Sequence, residues 1–400
     1  MSATPHPGPL AGLKVVELGQ LIAGPFAARI LAEFGAEVVK VEAPGAGDPL
    51  RTWRKLHDGT SLWWRVQARN KRSLTADLKT PEGQEIVRRL AAEADILIEN
   101  FRPGTLEGWG LGFDALHAIN PRLVMVRLSG YGQTGPYRER PGFGVIGEAM
   151  GGIRYTTGSP DRPPARTGIS IGDTLAAHYG VIGALMSVIH VIRNGGPGQV
   201  VDVALHESVF NCMESLVPEY GVFGEIRERS GGALPGIVPT DAYPCSDGFV
   251  LIAGNGDSIF RRLMRAIGRP DMSDDPRFAR NDGRAAHVEL IDGAIAAWTQ
   301  DRTITEAIDF MNEAGVPVGR IYSAADILAD PHYRARDMIL DTVLPDGTPM
   351  PVPGIAPKLS ATPGEMRTIG PELGAHTDEV LAGLGYGAED VADLRRKGIV

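Results

Sequence analysis

The feature that most constrains this chain is a rhythm through roughly its first 210 residues, where short β-rich runs alternate with helix-like segments. LKVVEL (Leu13–Leu18) reads as a strand, FAARILAEFG (Phe26–Gly35) as a helix closed by a glycine, and AEVVKVE (Ala36–Glu42) as the next strand. SLTADL (Ser73–Leu78) leads into a helix with Thr80 as N-cap and Pro81 at its first position, where proline's missing N–H costs nothing. DILIEN (Asp95–Asn100), FDALHAIN (Phe113–Asn120), RLVMVRLSG (Arg122–Gly130) and QVVDVAL (Gln199–Leu205) continue the pattern as strand, helix, strand and strand. Strand, crossover helix and strand in succession predict an α/β fold with a parallel sheet covered on both faces. Such a sheet takes ligands beyond its strand carboxyl ends, so chemistry is expected in the loops from Gly19, Asn100 and Gly130 and in the 151–173 region.

Beyond residue 210 the pattern changes. A charged and then Gly/Pro-rich stretch reads as a linker over 211–240. DGFVLIAGN (Asp247–Asn255) and helical patterns at Ile259–Ile267, His287–Thr299 and Thr305–Ala314 read as a smaller α/β domain over 241–328. The large domain is expected over residues 1–210, and the tail from His376 to Val400 is amphipathic and helical and must dock on something. The net charge of −9, with Lys and Arg spread along the chain, argues against nucleic acid or an anionic membrane as the main partner. Cys212 and Cys245 are the only cysteines, so no disulfide framework exists, and both are expected as small buried apolar residues in a reducing compartment. The start, MSATPHPGPLAG, lacks the pattern of a secretory leader, and the longest apolar run, Val181–Ile192, is too short to cross a membrane. The expectation is a soluble, cytoplasmic protein.

The candidate site residues have bland readings beside functional ones. GQLIAGP (Gly19–Pro25) is neither G-x-G-x-x-G nor a P-loop, which excludes the usual nucleotide fingerprints but not a ligand at this strand-to-helix turn. ENFRPG (Glu99–Gly104) follows a strand, where a ring and a phosphate could meet Asn100, Phe101 and Arg102, although a solvated arginine reads equally well. NKRSLTADLK (Asn70–Lys79) places three cations in ten residues, facing an anionic ligand or water. Asp173, in TGISIGDTLAAHYG, reads first as the N-cap of a long apolar helix. A carboxylate beside Gly172 at a helix start also suits a nucleophile, since the glycine admits a substrate and the helix dipole favours the charge. His178 and His190 lack metal-ligand spacing and read as structural, and no HExxH or G-x-S-x-G occurs.

Taken together these segments resemble the class III CoA-transferases, the CaiB/BaiF family of formyl-CoA and carnitine CoA-transferases and α-methylacyl-CoA racemases. The resemblance runs from Leu13–Arg51 through Asn70–Gly83, Ala94–Leu111, Gly130–Phe143, Gly172–Leu185 and Gly195–Val209 to Leu373–Gly385. It implies a Rossmann-like large domain completed by residues from about 330 to 400, a smaller α/β domain and two ring-like subunits interlocked as a homodimer. It implies that Asp173 is the nucleophile, reversing the capping reading. It implies coenzyme A contacts at Ile22 and Ala23, at Ala76, Asp77, Leu78 and Lys79, and at Asn100, Phe101 and Arg102. Two departures narrow it. Ile22 stands where formyl-CoA transferases have glutamine, which argues against oxalate. Gly144 stands where the family often has an acid, and Arg140–Gly144 holds no histidine of the kind racemases use.

The expected activity is therefore transfer of CoA from an acyl-CoA donor to a carboxylic acid through aspartyl anhydride and aspartyl-CoA thioester intermediates. Coenzyme A serves as substrate, with no metal or redox cofactor. A dicarboxylic donor such as succinyl-CoA is expected by analogy, with Arg154 or Arg166 as readers of a distal carboxylate. The competing readings are a racemase or isomerase, which would exchange the substrate α-proton with solvent without an acceptor, and a binding protein that forms no adduct.

Overall fold

The computed structural model describes residues 8–400 and divides into two units. The first takes the described residues up to Ile153, then Thr167–Glu214 and Ala335–Val400. Its strands are β1 (Lys14–Glu17), β2 (Glu37–Glu42), a short ladder of β3 (Leu56–His57) and β4 (Thr60–Ser61), β5 (Lys71–Thr75), β6 (Ile96–Glu99), β7 (Val124–Ser129) and β8 (Val200–Ala204). Its helices are α1 (Ala23–Glu33), α2 (Leu62–Gln67), α3 (Pro81–Glu93), α4 (Thr105–Gly108), α5 (Phe113–Ile119), α6 (Gly144–Met150), α7 (Ile153–Thr156, shared with the second unit), α8 (Ile171–Asn194) and α9 (Leu205–Phe210).

Six strands form one wholly parallel sheet in the order β5-β2-β1-β6-β7-β8. The order reverses between β1 and β6, which opens a crevice at their carboxyl ends. Two buried cores cover the faces. On one, Ile86, Leu90, Leu116 and the tail residues Val380, Leu381, Val391 and Leu394 enclose Val16, Val39 and Leu97. On the other, α1 and α8 lay Ala27, Leu31, Ala177 and Val181 against Val15, Val38, Ile98 and Val126. Alternate residues of each strand therefore serve opposite cores, as the period of two requires.

The tail docks where its amphipathic pattern demanded a partner, and His376 N donates to Ser73 O (3.0 Å) while Asp77 N donates to Ile399 O (2.8 Å). The α3 start is as its sequence indicated: Thr80 caps it, accepting from Gly83 N at 3.1 Å, with Pro81 next. β5 departs from expectation, running over Lys71–Thr75 rather than Ser73–Leu78. Its first two residues are cations that disguise the strand, and Ala76–Lys79 are released into a loop. α8 is 24 residues long and, by length and mean hydropathy (1.8 over its most apolar window), could cross a membrane. With 44% of that window buried it instead lies as a core helix on the sheet, Gly180 against Val126 and Leu128.

The second unit comprises Arg154–Arg166 and Ser215–Arg334. A three-stranded antiparallel sheet (Thr240–Cys245, Gly248–Ala253, Val318–Arg320) packs with helices Asp257–Ala266, Val288–Thr299 and Ile304–Glu313 around Val250, Ile252, Phe260, Leu263, Ile291 and Met311. The helix Leu216–Phe223 occupies part of the stretch read as a linker.

Candidate active site

The turn from β1 into α1 sits at the point where the strand order reverses. Asn100, leaving β6, clasps it from across the crevice: its Oδ1 accepts from Gln20 N (2.7 Å) and its Nδ2 donates to Gln20 O (2.8 Å). Ile22 and Ala23 follow, Ile22 as the residue before the helix and Ala23 as its first. No side chain caps α1, and the start of a helix leaves its leading N–H groups without intrahelical partners. Gln67 donates to Ile22 O (3.1 Å) from α2.

Beneath this turn lies a buried chain of charges that composition alone would place in solvent. Lys40 Nζ donates to Gly19 O (2.7 Å) and pairs with Glu17 (2.8 Å) and Asp48 (2.9 Å). Glu17 also pairs with Lys71 (2.7 Å), which donates to Pro25 O (2.7 Å). Burial opposes the Lys40 charge, but Asp48 and Glu17 overcome it and hold the pKa above the usual lysine value. For Lys71 burial wins, lowering the pKa to about 8. Next to them Glu42 accepts from Arg51 Nε and Nη2 (both 2.8 Å) and from Ser73 Oγ (2.6 Å). Burial pushes the Glu42 and Asp48 carboxyls up, yet Arg51 and Lys40 respectively reverse this and hold both below the ordinary carboxylate range. Lys71, one of the three clustered cations, thus faces neither ligand nor water but an internal carboxylate.

The other two expected CoA segments share the opposite face of the sheet. Leu78 and Phe101 both rest on the core that Leu74, Leu97 and Leu106 form. Phe101 meets Trp109 edge-on at 5.3 Å between ring centres. Ala76 is buried, its N–H donating to Glu42 O (2.8 Å), whereas Asp77 turns back to accept from Lys79 N (3.0 Å). Lys79 and Arg102 are exposed at the carboxyl end. Behind them burial raises the Glu99 carboxyl pKa, which Arg127 (2.7 Å) offsets only in part.

Asp173 does not cap its helix. α8 begins at Ile171 after Ser170, so Asp173 occupies the third helical position. Its carboxylate is lodged against the first residue of α6: a Cβ added to Gly144 would lie 2.0 Å from Asp173 Oδ2. An acid at position 144 would therefore require the aspartate to move. Glycines make this approach of α6 general, since a Cβ on Gly147 or Gly151 would meet Leu205 at 2.8 Å and Val209 at 2.6 Å on α9. Glu148, which motif reading passed over, is 1% exposed, and its Cγ lies 3.3 Å from where a Cβ on Gly172 would be. The only sequence signal for it was an acid inside the apolar run FGVIGEAM. α8 runs against the sheet direction, Ser187 near its far end accepting from Gln199 before β8 (2.7 Å). Asp173 thus lies at the same carboxyl end as the three segments expected to bind CoA.

The histidines of α8 bond within their own helix: His178 Nδ1 is 2.7 Å from Thr174 O, and His190 is 3.0 Å from Asn194. Cys212 is exposed rather than buried, and Cys245 half-buried. Among the described residues one group has metal-ligand proximity, His57, Asp58 and Asp346. There the Thr348 backbone and then His57 bond the Asp346 carboxylate and hold its pKa at about 2, the mark of an exposed ion pair.

A family model described as CoA-transferase family III matches residues 10–377. The chain is 51% identical to a succinyl-CoA–D-citramalate CoA-transferase from Chloroflexus aurantiacus, over 100% of both chains. It is 41% identical, again over 100% of both, to the beta subunit of that organism's succinyl-CoA–L-malate CoA-transferase. Among solved structures it resembles a CAIB/BAIF family protein from Brucella suis at 36% identity, with a TM-score of 0.83 over 95% of this chain and 100% of the other.

Proposed function

The chain belongs to CoA-transferase family III, and we propose that it moves CoA from succinyl-CoA to a small hydroxy-dicarboxylic acid of the citramalate or malate type, with Asp173 as nucleophile. The observation that carries the mechanism is the Asp173 carboxylate held against the bare backbone of Gly144, at the carboxyl end of the sheet. The substrate class rests on relatives that match over their whole length.

The Asp173 carboxylate attacks the thioester carbonyl; an O–C bond forms, the C–S bond breaks, and CoA leaves as thiolate. The thiolate then attacks the Asp173 carbonyl of the mixed anhydride, releasing succinate and leaving an aspartyl-CoA thioester. The acceptor carboxylate displaces the thiolate to form a second anhydride. Thiolate attack on the acceptor's carbonyl completes transfer and returns Asp173 as a carboxylate. A carboxylate alone suits these steps, since every covalent state stays an activated acyl group. Ile22, Ala23, Ala76–Lys79 and Asn100–Arg102 hold CoA, with the Lys79 and Arg102 cations available to its phosphates. Water exclusion protects the anhydrides from hydrolysis. A racemase would need a second proton-transfer group, and Arg140–Gly144 offers no histidine.

The reading further includes a homodimer in the cytoplasm. An apolar groove of about 600 Å³ lined by Leu10, Phe26, Ile30, Ile182, Leu185 and Leu359 adjoins the exposed Met186 and Ile189 of α8, which supports burial against a second copy.

Intact mass spectrometry with hydroxylamine trapping tests the mechanism: succinyl-CoA is expected to label Asp173, and Asp173→Asn to fold yet neither label nor turn over. Turnover of succinyl-CoA without an adduct at Asp173 would remove the covalent route.

A further inference from the structure

Leu21, in the middle of the turn between β1 and α1, has φ = 63°. A left-handed backbone is a genuine outlier for a bulky residue, and such strain persists only where the surroundings enforce it. The enforcement is visible. Leu21 N–H donates to both Asp48 oxygens, at 3.0 and 3.2 Å. Gly19 O takes Lys40 Nζ, and Gln20 is held at both its N–H and its C=O by Asn100. Asp48 is itself fixed: it accepts from Leu50 N (2.9 Å), pairs with Lys40, and its own N–H donates to Glu42 (3.0 Å). Both Asp48 and Lys40 are 1% exposed. Two buried charges from the chain after β2 and from β2 itself are thus spent on the shape of one exposed-side turn.

We propose that Asp48, backed by Lys40, is the positioning residue of the CoA-binding turn: by holding Leu21 left-handed it sets where Ile22, Ala23 and the uncapped first turn of α1 meet CoA. The inference rests on the reading that this turn binds CoA. Asp48 meets only donors (Leu21 N–H, Leu50 N–H and the Lys40 ammonium), so an amide in its place would set a donor against donors. The turn would then relax towards φ < 0 and Ile22 would shift.

The test pairs amide hydrogen exchange without ligand with calorimetric binding of free CoA. Asp48→Asn is expected to speed exchange in a peptide covering Leu18–Gly24 while leaving β7 protected, and to weaken CoA binding about tenfold. Glycine adopts φ > 0 without steric cost, so Leu21→Gly added to Asp48→Asn is expected to recover part of the affinity. A β-branched residue resists that conformation, so Leu21→Val alone is expected to weaken CoA by about tenfold, and it carries the test if Asp48→Asn does not fold. Unchanged turn exchange in Asp48→Asn, faster exchange with CoA affinity intact, or full affinity in Leu21→Val would each overturn the proposal. A wild-type chain that binds no CoA would instead sink the reading of the turn, while exchange in the variant would still decide whether Asp48 clamps it.

Discussion

Gly144 and Asp173 constrain one another, and that pair separates a structural from a chemical role for the aspartate. From spacing, a carboxylate at a helix start is a cap, and helix boundaries are legible only to within a residue or two. Here the helix begins two residues earlier than Asp173, so Asp173 is not the N-cap residue, and its carboxylate lies against Gly144 of α6. No local pattern announces this, because it depends on a contact across 29 residues of sequence made possible by the missing side chain at 144. Gly144→Ala places a methyl 2.0 Å from Asp173 Oδ2, so the carboxylate must move by an ångström or more. The expected result is a fall in kcat of about a hundredfold with the fold retained. Gly147→Ala makes a useful contrast, since its Cβ would meet Leu205 on α9 rather than the aspartate. It should lower the melting temperature more than it lowers kcat. Near-normal kcat in Gly144→Ala would mean that the Asp173 position seen here is not the reactive one.

At the scale of elements, the parallel sheet and the cap of α3 were legible because they rest on short-range signals: valine-rich runs, Thr80-Pro81, Gly after helices. β5 was displaced in the reading because its opening Lys71 and Arg72 looked like surface, and the burial of Lys71 depends on Glu17 two strands away in space. The same long-range logic hid Lys40, Glu42 and Asp48, charged residues inside or beside a strand whose partners come from three other segments. That network makes a pH prediction. Glu42 has its folded pKa held below the ordinary 4.5, so it contributes stability that is complete above that value and is lost as pH falls through the folded pKa. The wild-type denaturant midpoint should therefore drop steeply below about pH 4.5. Glu42→Gln strands Arg51 in a buried site, should cost roughly 3 kcal/mol at neutral pH, and should show a flatter acid limb. Trp64, stacked 3.7 Å under the Arg51 guanidinium, reports the change by fluorescence. Parallel acid limbs in the two proteins would mean that other carboxylates carry the acid sensitivity.

At the scale of the whole molecule, the amphipathic pattern of the tail made it foreseeable that a stripe of Val380, Leu381, Val391 and Leu394 has to be covered, and the first core covers it. The outer face of α8 poses the same demand without an answer among the described residues. Ile182, Met186, Ile189 and Ile192 recur every three or four residues, and Met186 and Ile192 are 66% and 63% exposed. The sequence hid this face, because a helix that is apolar all round reads simply as core. Four large apolar side chains on one stripe, continuous with an apolar groove, fit an interface repeated by symmetry rather than contact with water. Light scattering should therefore give twice the chain mass of 42.7 kDa at micromolar concentration. Met186→Glu combined with Ile189→Lys should lower that mass or leave the protein unable to accumulate in folded form, because charges on this face would be buried without partners. A wild-type protein that runs at 42.7 kDa at all concentrations, or a double variant that keeps the dimer mass and full activity, would show that this face of α8 meets something other than a second copy.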